Sequence, residues 1–129
     1  MKPFKKNDYP TLGIEEEFHL INPETAELTP SVNEVMALLD TEFRERVCYE
    51  LLQCILELRT GVYKTVDDLI QETANGRTVL AENCKQLNVN IVAAGSHPFS
   101  DWEKQPFVDN EHYQWVHDNH GYIAHRMLA

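Results

Sequence analysis

The most constraining feature of the sequence is the alternation of apolar and acidic residues between Thr11 and Ile21. One parity holds Leu12, Ile14, Phe18 and Leu20, and the other holds Glu15, Glu17 and His19. Because successive side chains of a strand point to opposite faces, this pattern predicts a half-buried β-strand with one carboxylate-bearing face. Glu16 falls on the apolar parity, so it must lie near a sheet edge, form an ion pair or be displaced by a bulge.

The remaining segments predict a mixed fold of helices and strands. The predicted elements are a short return strand over Ala26–Thr29, a helix capped by Ser31, a strand over Ile55–Thr60, a helix that begins after Thr65, a short strand over Val89–Ala94 and a last helix that begins after Asp109 or Asn110. Because strands and helices alternate, the class is α/β or α+β. Residues 1–10 are polar and contain two prolines, which predicts an N-terminal arm before a domain over residues 11–129.

The charge balance excludes two classes of partner. The chain has 11 Lys and Arg residues against 21 Asp and Glu residues, a formal net charge of −10. Nucleic acids and anionic membranes are bound through basic patches, so neither is an expected partner. ATP is not excluded, because divalent cations bridge phosphates to carboxylates. The three cysteines form no CxxC pair and no apolar leader follows the basic start, so we expect a reduced, cytoplasmic protein.

The first candidate site is the acidic face of the predicted first strand. Glu15 and Glu17 point to the same side of that strand, opposite the apolar side chains. Two carboxylates this close repel each other unless a cation lies between them. Hard cations such as Mg²⁺ prefer oxygen ligands of this kind. The alternative is a solvated strand face without a ligand, and the motif taken alone favours that alternative.

A second acidic segment contains Glu50, Glu57 and Arg59. Glu50 and Glu57 would lie on opposite sides of one regular strand. They therefore converge only if the segment bulges, or if Glu50 lies on a helix or turn before the strand. Arg59 falls on the same side as Glu57. Its guanidinium suits a phosphate or a substrate carboxylate, but a structural ion pair with Glu57 is the alternative that the segment alone favours.

Histidines supply two weaker candidates. His97 lies in a loop after a predicted strand, where ligand-facing groups are common, although most loop histidines bind nothing. Four histidines lie in the last predicted helix: His112, His117, His120 and His125. They lack a third ligand at a known spacing, so a surface helix is the favoured interpretation. The sequence has no Walker A loop, GxGxxG motif or GxSxG elbow, so ATP binding would need another design.

Four segments taken together resemble the glutamate–cysteine ligase type 2 family of carboxylate–amine ligases. The segments are Thr11–Phe18, similar to the family's TLGIExE strand; Glu50–Gln53 with Glu57–Val62, similar to ExxQxxxExRTxV; Ala94–Phe99 with Trp102 and Gln105, similar to GTHPFxxWxxQ; and Asp109–Tyr113, similar to DNERY. Their order and spacing agree over residues 10–128. His112 departs from this pattern, because the family often has Arg at that position.

The resemblance implies a fold, a reaction and a set of site residues. The implied fold is α+β, a partial antiparallel sheet with helices on one face, like the catalytic domain of glutamine synthetase. In the implied reaction ATP phosphorylates a carboxylate, commonly that of glutamate, and an amine such as cysteine then forms the amide from the acyl phosphate. The implied Mg²⁺ ligands are Glu15, Glu17, Glu50 and Glu57. The implied nucleotide-binding residues are Glu15, Glu17 and Arg59, and the implied catalytic residues are Arg59, Thr60 and His97.

The resemblance also sets expectations for the chain as a whole. In the family the last helix leads into a strand with a His-Val-His-Val-Gly pattern, which residues 1–129 do not contain. We therefore expect the N-terminal part of a ligase domain, with weak or no activity of its own. The alternative is a short non-catalytic binding or interaction module derived from a ligase. Part of a sheet exposes a strand edge and an apolar face, so we also expect homo-oligomers.

Overall fold

The structure is a computed structural model that describes residues 9–128. Its elements in chain order are β1 (Glu15–Ile21), α1 (Val32–Leu38), α2 (Thr41–Arg44), β2 (Val47–Tyr49), β3 (Ile55–Arg59), α3 (Val66–Gln86), β4 (Asn90–Val92), a short 3₁₀ helix (Trp102–Lys104) and α4 (Glu111–Leu128). Most of the predicted arm over residues 1–10 lies outside the described residues. Within the described residues, no helix is both long and apolar enough to cross a bilayer.

The four strands form one antiparallel sheet in the order β2-β3-β1-β4. β1 pairs with β3 on one side and with β4 on the other. Its register with β3 places Glu15 opposite Arg59 and Glu17 opposite Glu57. β1 is therefore an interior strand, and its acidic residues lie beside those of β3.

Helices α1 and α3 cover one face of this sheet. The core on that face is formed by Phe18, Leu20, Leu56 and Leu58 from the sheet, Val35 from α1 and Leu80 from α3. Each of these six side chains is at most 3% exposed. The predicted α+β class, with a partial antiparallel sheet and helices on one face, is confirmed. Glu15 and Glu17 have the opposite parity in β1 and so lie on the other face.

The first strand is shorter than its alternating pattern predicts. β1 begins at Glu15 rather than at Thr11, because its partner β3 ends at Arg59. Beyond that point the pairing is irregular: the backbone N–H of Ile14 donates to Oγ1 of Thr60 at 2.9 Å, and an isolated bridge joins Leu12 to Tyr63. The alternating pattern of apolar and acidic residues therefore extends beyond the N-terminal end of the regular strand.

The predicted return strand over Ala26–Thr29 is also reduced in the structure. Only an isolated bridge between Ile21 and Leu28 remains of it. Ala26 has a φ of 58°, in the left-handed region, which a continuous extended strand does not allow. The chain here is a turn that folds back on β1 for one residue pair.

The structure confirms the predicted start of α3 after Thr65 and selects one of the three alternatives for Glu16, an ion pair. Thr65 caps α3, because its hydroxyl accepts a hydrogen bond from the backbone N–H of Asp68 at 3.2 Å. Glu16, the acidic residue on the apolar parity, is paired. Its carboxylate accepts from Nε of Arg77 at 2.9 Å and from a second nitrogen of the same guanidinium. This two-bond contact ties the start of β1 to the middle of α3.

Gly76 sets how closely α3 approaches the sheet. Glycine in a helix interior ordinarily weakens the helix, and the sequence alone gives no compensation. In the structure Gly76 is buried, and a Cβ there would lie 2.9 Å from Cδ2 of Leu58 and 3.1 Å from a terminal nitrogen of Arg46. The missing side chain therefore lets α3 pack directly on β3.

We expect Gly76→Ala to destabilise the chain by about 1–3 kcal/mol, because overpacking outweighs the gain in helix propensity of about 1 kcal/mol. Urea unfolding followed by circular dichroism measures the difference. Gly121→Ala in α4 is the matched control, since its Cβ would meet His117 at an ordinary 3.5 Å. The control should be neutral or stabilising. Equal effects of the two substitutions on the free energy of unfolding would show that close packing does not explain why residue 76 is a glycine.

Helix α4 packs on the segments between the strands and on the adjoining ends of β2 and β3. Tyr113 and Val116 of α4 lie against a second apolar cluster that includes Leu52 and Phe107. The sequence pattern also places Ile123 on the apolar face, but this side chain is 59% exposed. That part of the pattern is wrong, and His125 two residues later makes the ring contacts in this part of the helix, with Trp102 and Phe107. The contacts of Tyr113 and Val116 place the first turns of α4 near the end of β2.

Candidate metal centre

Three carboxylates converge on the face of the sheet opposite α3. Oxygen atoms of Glu17, Glu50 and Glu57 all lie within 4.8 Å of one another. The β1–β3 register places Glu17 directly opposite Glu57. Glu50 follows β2 and lies in the turn before β3, which is one of the two conditions under which the sequence allows it to meet Glu57. Among the described residues, no second group of three possible metal ligands is found.

The carboxylates of this triad (Glu17, Glu50 and Glu57) perturb one another. Burial, followed by the negative charge of Glu50, raises the pKa of Glu17, and His19 partly offsets the rise. Burial also raises the pKa of Glu57, with further contributions from Glu15 and Glu50. Like charges directly opposite each other in a sheet are destabilising. The triad therefore favours binding of either protons or a cation, and its oxygen ligands suit Mg²⁺ or Mn²⁺.

Glu15 and Arg59 lie one step along the sheet from the triad. They lie opposite each other in the β1–β3 pairing. Glu15 is not one of the three glutamates whose carboxylate oxygens converge. Arg59 places its Nε 3.8 Å from Oε1 of Glu57, a long ion pair between partly exposed groups. A contact of this length contributes little to stability. The guanidinium therefore retains donors that can meet a ligand beside the metal centre.

A cleft of about 660 Å³ opens at the ends of β1 and β3. Its lining includes Glu15, Arg59 and Thr60, together with Arg46, Tyr63 and Glu72. Sequence reasoning did not single out the last three residues, because they come from separate segments with no local motif. The predicted nucleotide or substrate residues Glu15, Arg59 and Thr60 are thus brought to one cleft, which none of the three triad carboxylates lines.

Thr60 is fixed in this cleft by its backbone neighbours. Its hydroxyl accepts from the N–H of Ile14 at 2.9 Å and donates to the carbonyl of Gly61 at 3.0 Å. These bonds hold the segment after β3 against the segment before β1. A catalytic or substrate-binding role for Thr60 stays a prediction, and the structure gives the hydroxyl a local anchoring role.

His97 does not join the triad. Its Nδ1 accepts from the N–H of Ser100 at 3.0 Å, so its Nε2 carries the proton and donates to the carbonyl of Ala26 at 2.9 Å. Its ring meets that of His19 edge-on, with 6.1 Å between the ring centroids. The predicted catalytic role of His97 therefore stays a prediction, and it would require these loop contacts to rearrange.

The histidines of α4 are engaged in other contacts. His125 donates to the carbonyl of Gln105 at 2.7 Å, and His117 contacts the carboxylate of Asp118 at 3.1 Å. None of the α4 histidines belongs to the group of converging ligands found among the described residues. The preference for a surface helix over a histidine metal site agrees with this arrangement.

Comparison with known proteins identifies the relatives of this chain. A relative from Gloeobacter violaceus is 32% identical over 127 residues, which cover 97% of this chain and 34% of the relative. Relatives from Jannaschia sp. and Chloroflexus aurantiacus are 34% and 37% identical, cover 92% and 82% of this chain, and are matched over 31% and 27% of their own lengths. All three are named "Putative glutamate--cysteine ligase 2". The chain thus spans about a third of the length of the curated relatives it matches.

The family match covers both the sheet and the acidic centre. Residues 11–129 match the sequence model of the Glutamate-cysteine ligase family 2. This span contains all four strands and the three converging glutamates. The open antiparallel sheet agrees with the glutamine synthetase-like fold to which that family is related. On these grounds the chain belongs to the glutamate–cysteine ligase family 2, a family of carboxylate–amine ligases.

Proposed function

We propose that the chain supplies metal ligands and ligand-facing side chains to an ATP-dependent carboxylate–amine ligase. The observation that carries this proposal is the convergence of Glu17, Glu50 and Glu57 within 4.8 Å of one another. A site built only from carboxylates suits a hard divalent cation. When bound, Mg²⁺ would neutralise charge that develops on the phosphates of ATP during phosphoryl transfer.

The chain's own residues would orient the reacting groups around that centre. Glu15 continues the acidic face of β1 and is proposed as a fourth ligand, for a cation that also contacts the nucleotide. Arg59 would meet a phosphate or a substrate carboxylate through its planar guanidinium. Thr60 would fix the backbone of the cleft. His97 would act only after leaving its loop contacts, so its role has the least support.

The proposed substrates are glutamate or another carboxylate, and cysteine or another amine. The carboxylate would be activated as an acyl phosphate before the amine attacks. The printed names of the relatives support this choice. Because the chain spans about a third of their length, the complete reaction is a proposal for the whole protein.

A divalent-cation-binding module without catalysis is the second candidate function. It is favoured by the triad, since three converging carboxylates can hold a cation without any catalytic side chain. Mg·ATP-dependent formation of ADP with glutamate and cysteine distinguishes the two functions. Turnover that disappears in Glu57→Gln supports the ligase, whereas cation binding without turnover supports the module.

Binding of a fluorescent ATP analogue tests the nucleotide part of the proposal. We expect weak binding that requires Mg²⁺, because the acidic face repels the phosphates of free nucleotide. Arg59→Lys should weaken binding, since a lysine ammonium does not reproduce the two-bond guanidinium contact. The control is Arg44→Lys in the short helix α2. Binding that is indifferent to Mg²⁺ would contradict the proposal.

Self-association and a cytoplasmic location stay predictions. Exposed apolar side chains on α4 favour self-association: Trp115, Tyr122 and Ile123 are 55–63% exposed. β4 is also the last strand on its side of the described sheet. Sedimentation velocity at increasing concentration would detect the oligomer.

A further inference from the structure

The position of Glu50 depends on contacts outside the sheet. β2 ends at Tyr49 and β3 begins at Ile55, so Glu50 opens the turn between them. Its Oε2 accepts a hydrogen bond from the backbone N–H of Leu51 at 2.9 Å, which orients the carboxylate relative to that turn. Strand pairing alone holds Glu17 opposite Glu57. Glu50 reaches them only if the turn itself is held in place.

The part of the turn that follows Glu50 is held by the segment just before α4. The backbone N–H of Val108 donates to the carbonyl of Leu51 at 2.9 Å. The side-chain amide of Gln53 donates to the carbonyl of Phe107 at 2.8 Å. Both bonds involve residues after Glu50 in the sequence. The residue before Glu50, Tyr49, is the last residue of β2 and pairs with Leu56 of β3, so a further contact to this side of the molecule would add to strand pairing.

Tyr113 makes that contact. Its phenol, in the first turn of α4, donates to the backbone carbonyl of Tyr49 at 3.1 Å. The half-buried ring packs against both apolar clusters, so the hydroxyl has little freedom to move. Burial, and then the negative charge of Glu50, raises the pKa of Tyr113, which agrees with a phenol lying close to the triad. The bonded carbonyl immediately precedes Glu50.

We propose that Tyr113 is a positioning residue of the metal centre, whose bond to Tyr49 holds Glu50 within reach of Glu17 and Glu57. This inference rests on the proposed metal site and adds to it a residue from α4 that acts through Glu50. Partners that orient metal ligands are typically worth about 10- to 100-fold in metal affinity. Loss of one hydrogen bond to the backbone belongs at the lower end of that range.

A double-mutant cycle on the full chain tests the proposal. Mn²⁺ affinity is measured by water-proton relaxation for the wild type, Tyr113→Phe, Glu50→Gln and the double variant. Tyr113→Phe should weaken Mn²⁺ binding about tenfold in the wild-type background. In the Glu50→Gln background it should change the affinity less than about twofold, because no carboxylate is left to position.

A second tyrosine of α4 is the matched control. Tyr122 is exposed, and its hydroxyl accepts from Arg126 at 3.0 Å within the same helix. Tyr122→Phe should leave Mn²⁺ affinity unchanged. A loss of affinity with Tyr122→Phe equal to that with Tyr113→Phe would overturn the proposal, because any phenol of α4 would then have the same effect.

The remaining outcomes separate this proposal from the metal centre itself. An equal loss from Tyr113→Phe in both backgrounds would overturn it, because the phenol would then support the fold in general. Unchanged affinity in Tyr113→Phe, with affinity lost in Glu50→Gln, would also overturn it and leave the metal centre standing. Unchanged Mn²⁺ affinity in Glu50→Gln would show that Glu50 is not a metal ligand. The proposed role of Tyr113 would then also be wrong. Thermal melts confirm that each variant is folded.

Discussion

Glu17→Gln should weaken Mn²⁺ binding by at least about 100-fold. Residues that only orient a metal ligand are worth up to about 100-fold in affinity, and loss of a ligand itself should cost at least as much. Glu17 lies opposite Glu57 in the sheet and within 4.8 Å of both other carboxylates. Its replacement removes a ligand charge and leaves the remaining two glutamates too few to hold a hard cation tightly. Titration of the full chain with Mn²⁺, followed by water-proton relaxation or calorimetry, measures the loss.

Glu16→Gln is the matched control for this result. Glu16 is the adjacent residue on the same strand, but its carboxylate bonds to Arg77 on the α3 side of the sheet. The control removes the same charge at nearly the same place in the sequence and should leave Mn²⁺ affinity within about twofold of the wild type, given screening at physiological salt. If the two variants bind Mn²⁺ equally well, the centre is an acidic surface without a metal site.

The second expected effect is on the stability of the chain as a function of pH. The pKa values of Glu17 and Glu57 are raised in the folded chain, chiefly by burial and then by neighbouring carboxylates. The folded state therefore binds these protons more tightly than the unfolded state does. Without metal, the free energy of unfolding should fall as pH rises from the ordinary carboxyl value of 4.5 through the raised folded values.

Two comparisons isolate this contribution from the general charge of the chain. Glu57→Gln should flatten the profile and stabilise the metal-free chain at neutral pH, because it removes one of two opposing carboxylates. Glu24→Gln, in an exposed turn, removes the same charge and should leave the slope unchanged. Millimolar Mg²⁺ should stabilise the wild type at pH 7 and have little effect at pH 4. Parallel profiles for wild type and Glu57→Gln would contradict the assignment.

The sequence predicts the acidic face of β1 well because a strand has a strict two-residue period. Phe18 and Leu20 are buried as expected, and Glu15 and Glu17 lie on the opposite face. The same pattern identifies Glu16 as the exception, and the structure explains it by the bond to Arg77. Local alternation is sufficient here because each side chain's face follows from its position in one strand.

The convergence of the three carboxylates could not be predicted from the residues alone. Alternation gives the face of Glu17 and of Glu57, but their direct pairing depends on the register between β1 and β3. The position of Glu50 depends on a turn held by residues more than 50 positions later in the chain, as the bond between Gln53 and Phe107 shows. Such long-range contacts leave no periodic signal in the sequence.

His19 shows a second limit of the pattern. It shares the parity of Glu15 and Glu17, yet it is only 2% exposed. The loop that contains His97 covers it, with the two rings edge-on. A two-residue period predicts the face of a side chain but not what lies on that face. The burial of His19 therefore follows from the fold of residues more than 70 positions away.

The dependence of the Glu50 turn on the start of α4 has a consequence for the order of assembly. The β1–β3 and β2–β3 pairings join residues that are closer in sequence than Leu51 and Val108, so loop closure favours formation of the strands before the segment that holds the turn. We expect the Glu17–Glu57 pair to form first and to repel, with Glu50 joining only after Val108 and Tyr113 have docked. In pulsed hydrogen exchange, the Val108 amide, which bonds to Leu51, should gain protection after the amides of β3. A cation would then bind after the chain has folded. It would stabilise the completed fold rather than direct its formation.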